Sequence, residues 1–159
     1  MKRICCLIAF VLVIFPFTIQ AQQVPEITTA DLLNRVQSNE DTIYVVNFWA
    51  TWCHPCVEEL PVFSSDRLQQ WTKPTKVLLV SLDFKSQKDK QLLPFIRDKK
   101  VSHEVMLLDE GNPNEWIDKI DKNWSGAIPA TIIYHQNKNV FHEGELDIDG
   151  LVEMINRIN

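Results

Sequence analysis

The run Ile43-Tyr44-Val45-Val46-Asn47-Phe48-Trp49-Ala50-Thr51-Trp52-Cys53-His54-Pro55-Cys56 decides how this chain folds. Its first seven residues are β-branched or aromatic with one exception, the composition of a buried strand. Beyond Cys56, residues 57–71 repeat apolar side chains at helical spacing, so the two cysteines fall where a strand becomes a helix. A helix start carries unpaired backbone N–H groups and the positive end of the macrodipole, and both favour a thiolate over a thiol. A free cysteine titrates near ~8.5, and such a setting brings it down to roughly 3.5–7.5. Two sulfurs at this spacing can also close a disulfide with each other and exchange it with another molecule. The pattern assigns Cys53 as nucleophile and Cys56 as resolving thiol. A zinc site would need a second Cys or His pair at ligand spacing. The other cysteines are Cys5 and Cys6, while His103, His135 and His142 are scattered singly, so no metal is expected.

Neighbouring residues tune such a pair. Protonated His54 would stabilise the Cys53 thiolate, and with it the reduced state, making the couple more oxidising. Pro55 suits the first turn of a helix. Trp52 reads as the rim of a groove, whereas Phe48 and Trp49 alternate faces of the strand and at least one belongs to the core. Glu59 follows Cys56 by three residues on the same side of the helix, where its carboxylate can approach the resolving sulfur. Partly buried, it would have a raised pKa and could take the proton that Cys56 must lose before attacking a mixed disulfide.

The chain opens with Lys2-Arg3, an apolar run over residues 4–17 and then Thr18-Ile19-Gln20-Ala21, the layout of a secretory signal peptide cut after Ala21. The apolar run is shorter than the ~20 residues of a transmembrane helix, so a cleaved signal is preferred to an uncleaved anchor. The expected location is the periplasm or another extracytoplasmic space. Removing residues 1–21 leaves 138 of the 159, enough for one domain over residues 22–159 and too few for two. It also removes Cys5 and Cys6, leaving Cys53 and Cys56 as the sole possible bridge. Lys2 and Arg3 go with it, so 16 basic against 21 acidic side chains become 14 against 21, a net charge of −7. That surface argues against nucleic acid or an anionic membrane as partner.

Further along, Thr28 or Thr29 can cap a helix over residues 31–37, after a polar leader at 22–26. Pro61 falls inside the helix that follows the cysteines, where Leu60, Phe63, Leu68 and Trp71 can form an inward face. Residues 77–82 read as a buried strand, and Ser86 with Asp89 as a capping box for a helix interrupted at Pro94 and resuming to Lys100. Residues 104–108 read as another strand. Asn112-Pro113 opens a helix carrying Trp116, Ile117 and Ile120, which Ser125-Gly126 breaks. A strand at 131–134, a turn at 136–139 and a strand at 140–142 make a hairpin, with Gly144 as a bulge or turn. Ile148, Leu151, Val152, Ile155 and Ile158 give a last helix opened by Asp147 or Asp149. Strands alternating with helices, closed by a hairpin and a helix, indicate an α/β sheet covered on both faces.

These residues resemble the thioredoxin superfamily, and within it the TlpA/ResA-like thiol-disulfide oxidoreductases. The resemblance rests on Val45 to Cys56 as quoted, on Glu58-Glu59-Leu60-Pro61, and on Trp124-Ser125-Gly126-Ala127-Ile128-Pro129-Ala130-Thr131. It implies a thioredoxin-like fold with a central mixed sheet and an extra helix-strand insertion around residues 86–109. Asn47 departs from thioredoxin, which has a buried aspartate there, while Glu59 matches a glutamate of the TlpA/ResA branch. The resemblance also implies a cis bond between Ile128 and Pro129 facing the cysteines, where the Ile128 backbone would pair with an extended substrate segment.

The implied activity is reduction of protein disulfides by the Cys53-His54-Pro55-Cys56 pair, without a cofactor. A membrane-bound thiol carrier would return the electrons, and cytochrome c maturation or disulfide repair would be the setting. A disulfide oxidase or isomerase is an open alternative, because His54 could tilt the couple. From another class comes a copper-binding metallochaperone module with Cys53, Cys56 and a histidine as ligands. Wider cysteine spacing or a Met/His cluster would mark it, and the chain shows neither.

Overall fold

The computed structural model of the chain describes residues 23–38, 41–70 and 73–158. The signal peptide expected at residues 1–21 lies outside them, as does Trp71. In chain order the elements are β1 (Glu26–Ile27), α1 (Thr29–Gln37), β2 (Ile43–Trp49), α2 (His54–Phe63), β3 (Thr75–Ser81), α3 (Leu93–Asp98), β4 (Glu104–Leu108), α4 (Ile117–Ile120), β5 (Ala130–His135), β6 (Lys138–Glu143) and α5 (Ile148–Ile158). The strands form a single mixed sheet in the order β1-β4-β3-β2-β5-β6. The first four of these are mutually parallel, while β5 runs antiparallel to both β2 and β6.

All seven residues of β2 are buried, because the strand lies mid-sheet and both its faces are covered. Strand alternation sends Val45 and Trp49 into one core with Phe63 of α2, Ile96 of α3 and Leu151 of α5. Val46 and Phe48 go into the opposite core with Leu32 of α1, Ile120 of α4 and Trp124. Phe48 and Trp49 are therefore both core residues. The expected α/β architecture, with helices on both faces and an inserted helix and strand before residue 109, is the one observed.

Several local expectations are corrected. The helix after the cysteines ends at Phe63, and Leu68 reaches the core from a separate 3-10 turn at Asp66–Gln70. Pro61 lacks the N–H that would bond the Val57 carbonyl, and the helix stops two residues later. Ser86 caps nothing: the insertion starts as a 3-10 turn at Lys85–Gln87 and widens into a π turn at Lys88–Leu92 before α3. Pro94 then stands in the first turn of α3 rather than interrupting a helix, a position where its missing N–H is tolerated.

The polar leader is also structured. Glu26 and Ile27 pair with Leu107 and Leu108, Val24 is buried, and the Glu26 carboxylate receives Lys85 at 2.7 Å and Lys88 at 2.9 Å. Asn112-Pro113 opens a 3-10 turn, and the helix behind it ends at Ile120, before Ser125-Gly126. Thr28 caps α1 in a reciprocal capping box with Asp31, and Asp147 caps α5 by accepting from the Gly150 N–H at 2.8 Å.

Candidate active site

Cys53 is the N-cap of α2, with extended backbone angles, and Cys56 sits in the first turn. The two are joined by a disulfide, and the Cys56 N–H donates to Cys53 Sγ at 3.3 Å. Both cysteines are buried, Cys53 with 6% of its surface exposed and Cys56 with none, so Cys53 is the more accessible of the two. His54 and Pro55 occupy the first turn beside them. The His54 ring is largely exposed, and its Nδ1 lies 3.4 Å from Glu58 Oε2, so any imidazolium charge is shared with that carboxylate. Trp52, the residue before Cys53, is 58% exposed.

Opposite the disulfide runs the loop into β5. The Ile128-Pro129 bond is cis, and the Ile128 carbonyl oxygen lies 3.7 Å from Cys53 Sγ. Three sets of contacts hold this loop. The Trp124 indole N–H donates to the Ala127 carbonyl at 2.8 Å, Ser125 donates from its N–H and its hydroxyl to Glu143, and the Gly144 N–H donates to the Pro129 carbonyl. Gly126 has φ +93°, a conformation that side-chain-bearing residues seldom adopt, and an added Cβ would meet Ile117 at 3.0 Å.

Behind the disulfide, one helical turn past Cys56, lies Glu59 with 5% of its surface exposed. Its Oε1 accepts from Asn47 Nδ2 at 2.7 Å and its Oε2 from the Leu146 N–H at 3.0 Å. Asn47 donates its other amide hydrogen to Thr131 Oγ1 at 3.1 Å. Burial pushes the Glu59 carboxyl up to about 7; the bonds from Leu146 and Asn47 pull the other way, and the nearby Glu145 charge adds to the rise. A carboxyl titrating near neutrality can hold or release a proton under ordinary conditions.

The sequence reading missed a third feature. Asp83 follows β3, is buried, and accepts from the Thr51 N–H at 3.1 Å, the Thr51 hydroxyl at 2.5 Å and the Ser81 hydroxyl at 2.7 Å. It clamps the turn that leads into Cys53. A signal was available: an acidic residue just past the C-terminal end of a buried parallel strand, the end at which sites gather in such sheets. Leu146, as a backbone donor to Glu59, carries no such signal. Among the described residues, no group of three or more His, Cys, Asp or Glu side chains is placed to hold a metal ion.

Known proteins resemble this chain at several levels. Sporulation thiol-disulfide oxidoreductase A of Bacillus subtilis (strain 168) is 26% identical over 104 residues, covering 61% of this chain and 63% of the relative. Thioredoxin-like protein YneN of the same organism is 28% identical over 97 residues, covering 58% of this chain and 55% of the relative. The chain thus spans about three fifths of the length of the curated relatives it matches. A solved structure, the thioredoxin-related protein from Neisseria meningitidis serogroup B, superposes with a TM-score of 0.62 at 23% identity over 76% of this chain and 87% of that one, which establishes a shared fold. The model of the AhpC/TSA family matches residues 14–143, taking in the cysteine pair, Glu59, the Asp83 clamp and the Pro129 loop. On that match, together with the mixed sheet and the Cys53–Cys56 disulfide it carries, the chain belongs to the AhpC/TSA family, within the thioredoxin superfamily.

Proposed function

We propose that the protein is an extracytoplasmic thiol-disulfide oxidoreductase that reduces protein disulfides. One observation carries the reading: a disulfide at the start of a helix, with Cys53 the more accessible of its two residues and a buried carboxyl poised near neutrality one helical turn past Cys56. In the dithiol form, the Cys53 thiolate attacks one sulfur of a substrate disulfide, forms a mixed disulfide and expels the other substrate sulfur as a thiolate. Cys56 gives its proton to Glu59 and attacks Cys53 Sγ. The second substrate sulfur leaves, and Cys53 and Cys56 end bridged, two electrons having passed to the substrate. Thioldisulfide exchange needs no cofactor, only a thiol donor to regenerate the pair. The Ile128 carbonyl beside Cys53 Sγ offers a backbone acceptor to an extended substrate segment, and the exposed Trp52 next to Cys53 in sequence is a further contact for it. His54, shared with Glu58, adjusts the couple weakly.

The layout of residues 2–21 as an export signal supports a site of action outside the cytoplasm. A membrane-bound thiol carrier is the proposed donor, and cytochrome c maturation or general disulfide repair the proposed setting. Two measurements test the reading. A Cys56→Ala variant should accumulate mixed disulfides through Cys53, and a Cys53→Ala variant should form none. The potential of the pair should lie nearer thioredoxin at ~−270 mV than the strong oxidants near ~−120 mV; a value at the oxidising end would reverse the proposed direction.

A further inference from the structure

A hollow of about 350 Å³ opens between α2 and α3, lined by Leu60 and Pro61 of α2, Leu79 of β3, Phe95 of α3 and Val101. A smaller one of about 180 Å³ shares Ser64 and His103 with it and continues over Val77 and Thr75, toward the start of β3. The Ser64 hydroxyl and His103 Nε2 are 3.1 Å apart, so a hydrogen bond stands where the two hollows meet. The disulfide sits past the opposite end of the parallel strands, and neither cysteine lines either hollow. Leu60, Phe95 and Val101 are only half-buried, so each leaves apolar surface uncovered here. Lys99 and Lys100 also line the larger hollow, and both are exposed. Among the described residues no carboxylate lines either hollow, and no ion pair takes up Lys99 or Lys100. Lys100 ends α3 with φ +54°, a left-handed position that glycine usually fills. A lysine there accepts backbone strain and sets a charge beside the hollow.

We propose that this hollow binds a small molecule with an apolar body and one carboxylate, the body packed among Leu60, Phe95 and Val101 and the carboxylate met by Lys99 and Lys100. Its volume falls at the lower end of the ~300–1,000 Å³ of small-molecule sites, and a mostly apolar lining with a few polar groups is their usual make-up. Charge selects the ligand. The chain carries 21 acidic against 16 basic side chains, so an organic anion is repelled by the surface at large and attracted where two lysines stand without acidic partners. The site goes beyond the thiol-disulfide reading, and neither depends on the other.

The test is calorimetric titration of the full protein with phenylbutyrate and with phenylbutyramide, which has the same body without the charge. Phenylbutyrate should bind at a single site with a Kd of roughly 0.1–1 mM, and the amide about fivefold more weakly. A double variant, Lys99→Gln with Lys100→Gln, changes exposed positions only; it should lose the preference for the acid and hold the amide as the wild type does. Val101→Phe fills the hollow and should abolish binding of both. Equal affinity for acid and amide in the wild type, a preference retained by the double variant, binding undiminished in Val101→Phe, or no binding of phenylbutyrate at about 10 mM overturns the assignment. So does a dimer, seen by sedimentation, that Val101→Phe breaks, because the hollow would then seat a second copy of the chain.

Discussion

Asn47 donates an amide hydrogen to Glu59 Oε1 at 2.7 Å, which ties the middle of the central strand to the helix that bears both cysteines. The same side chain bonds Thr131 on the neighbouring strand, so the carboxyl is set against a fixed donor rather than a mobile one. The amide oxygen of Asn47 has no partner. As placed, the residue therefore serves as a donor to the acid.

This geometry makes the proposed resolving step pH-dependent. Only ionised Glu59 can accept a proton from Cys56, so the step should accelerate as pH rises through about 7. Glu59→Gln should slow it roughly 10–100-fold and flatten that rise. Stopped-flow decay of the mixed disulfide across pH 5.5–8.5 measures both, and an unaltered profile would remove Glu59 from the mechanism.

The raised pKa also has a stability consequence. Between the unfolded value, 4.5, and about 7 the folded state holds a proton on Glu59 that the unfolded state has released. Stability from this group is thus greatest at low pH and is lost as pH rises to 7, by an amount on the order of 2 kcal/mol. Denaturant titrations should show the wild type losing that much relative to Glu59→Gln between pH 4.5 and 8; the lost hydrogen bond in the variant is a constant offset that the comparison cancels.

Asn47→Asp would place two carboxyls in contact. They should share one proton and titrate as a coupled pair, the upper step lying above the wild-type value because like charges at this distance resist joint ionisation. The pH profile of mixed-disulfide decay should move up by about one unit or more. A profile left in place would mean that the two side chains do not communicate.

Removing the Asp83 carboxylate takes the acceptor from the part-buried Thr51 N–H and loosens the turn into Cys53. Asp83→Ala should cost about 2–4 kcal/mol, read by thermal or urea unfolding, whereas Asp83→Asn keeps an acceptor and should cost about half as much.

On the other side of the sheet, Trp124 packs against Phe48 with ring centroids 4.6 Å apart and against Trp116 at 5.6 Å, while its N–H holds the Ala127 carbonyl. Trp124→Ala should destabilise by about 3–5 kcal/mol. Trp124→Phe restores much of the packing and leaves the Ala127 carbonyl unbonded, so a residual loss of about 1 kcal/mol isolates the hydrogen bond.

Residues whose burial follows a period were legible from the sequence. Ile43–Trp49 and Glu104–Leu108 read as continuous apolar strands and occur with those limits, and the stripe from Ile148 to Ile158 gave α5. The cysteine pair and Glu59 were legible because chemistry and helical spacing place them together within one element. What escaped depends on distant backbone or on very short pieces. Glu26–Ile27 is too brief for an alternation, and its pairing is determined by β4 and two lysines from the insertion. The π turn at Lys88–Leu92 runs directly into Pro94, which cannot make the α-helical bond to the residue four before it, and the capping pattern at Ser86 goes unused. The Asp83 clamp and the Leu146 donor join segments 32 and 87 residues apart, a relationship no local pattern expresses.

The Leu146 amide gives the protein a built-in spectroscopic reporter. Its hydrogen points at one oxygen of Glu59, so its chemical shift should follow the charge on that carboxyl directly, and a nitrogen–proton correlation spectrum of uniformly labelled protein would trace the titration from a backbone peak without a probe attached. Recorded for the bridged and dithiol forms in turn, the midpoint of that single resonance would reveal how far making and breaking the sulfur–sulfur bond moves the acid.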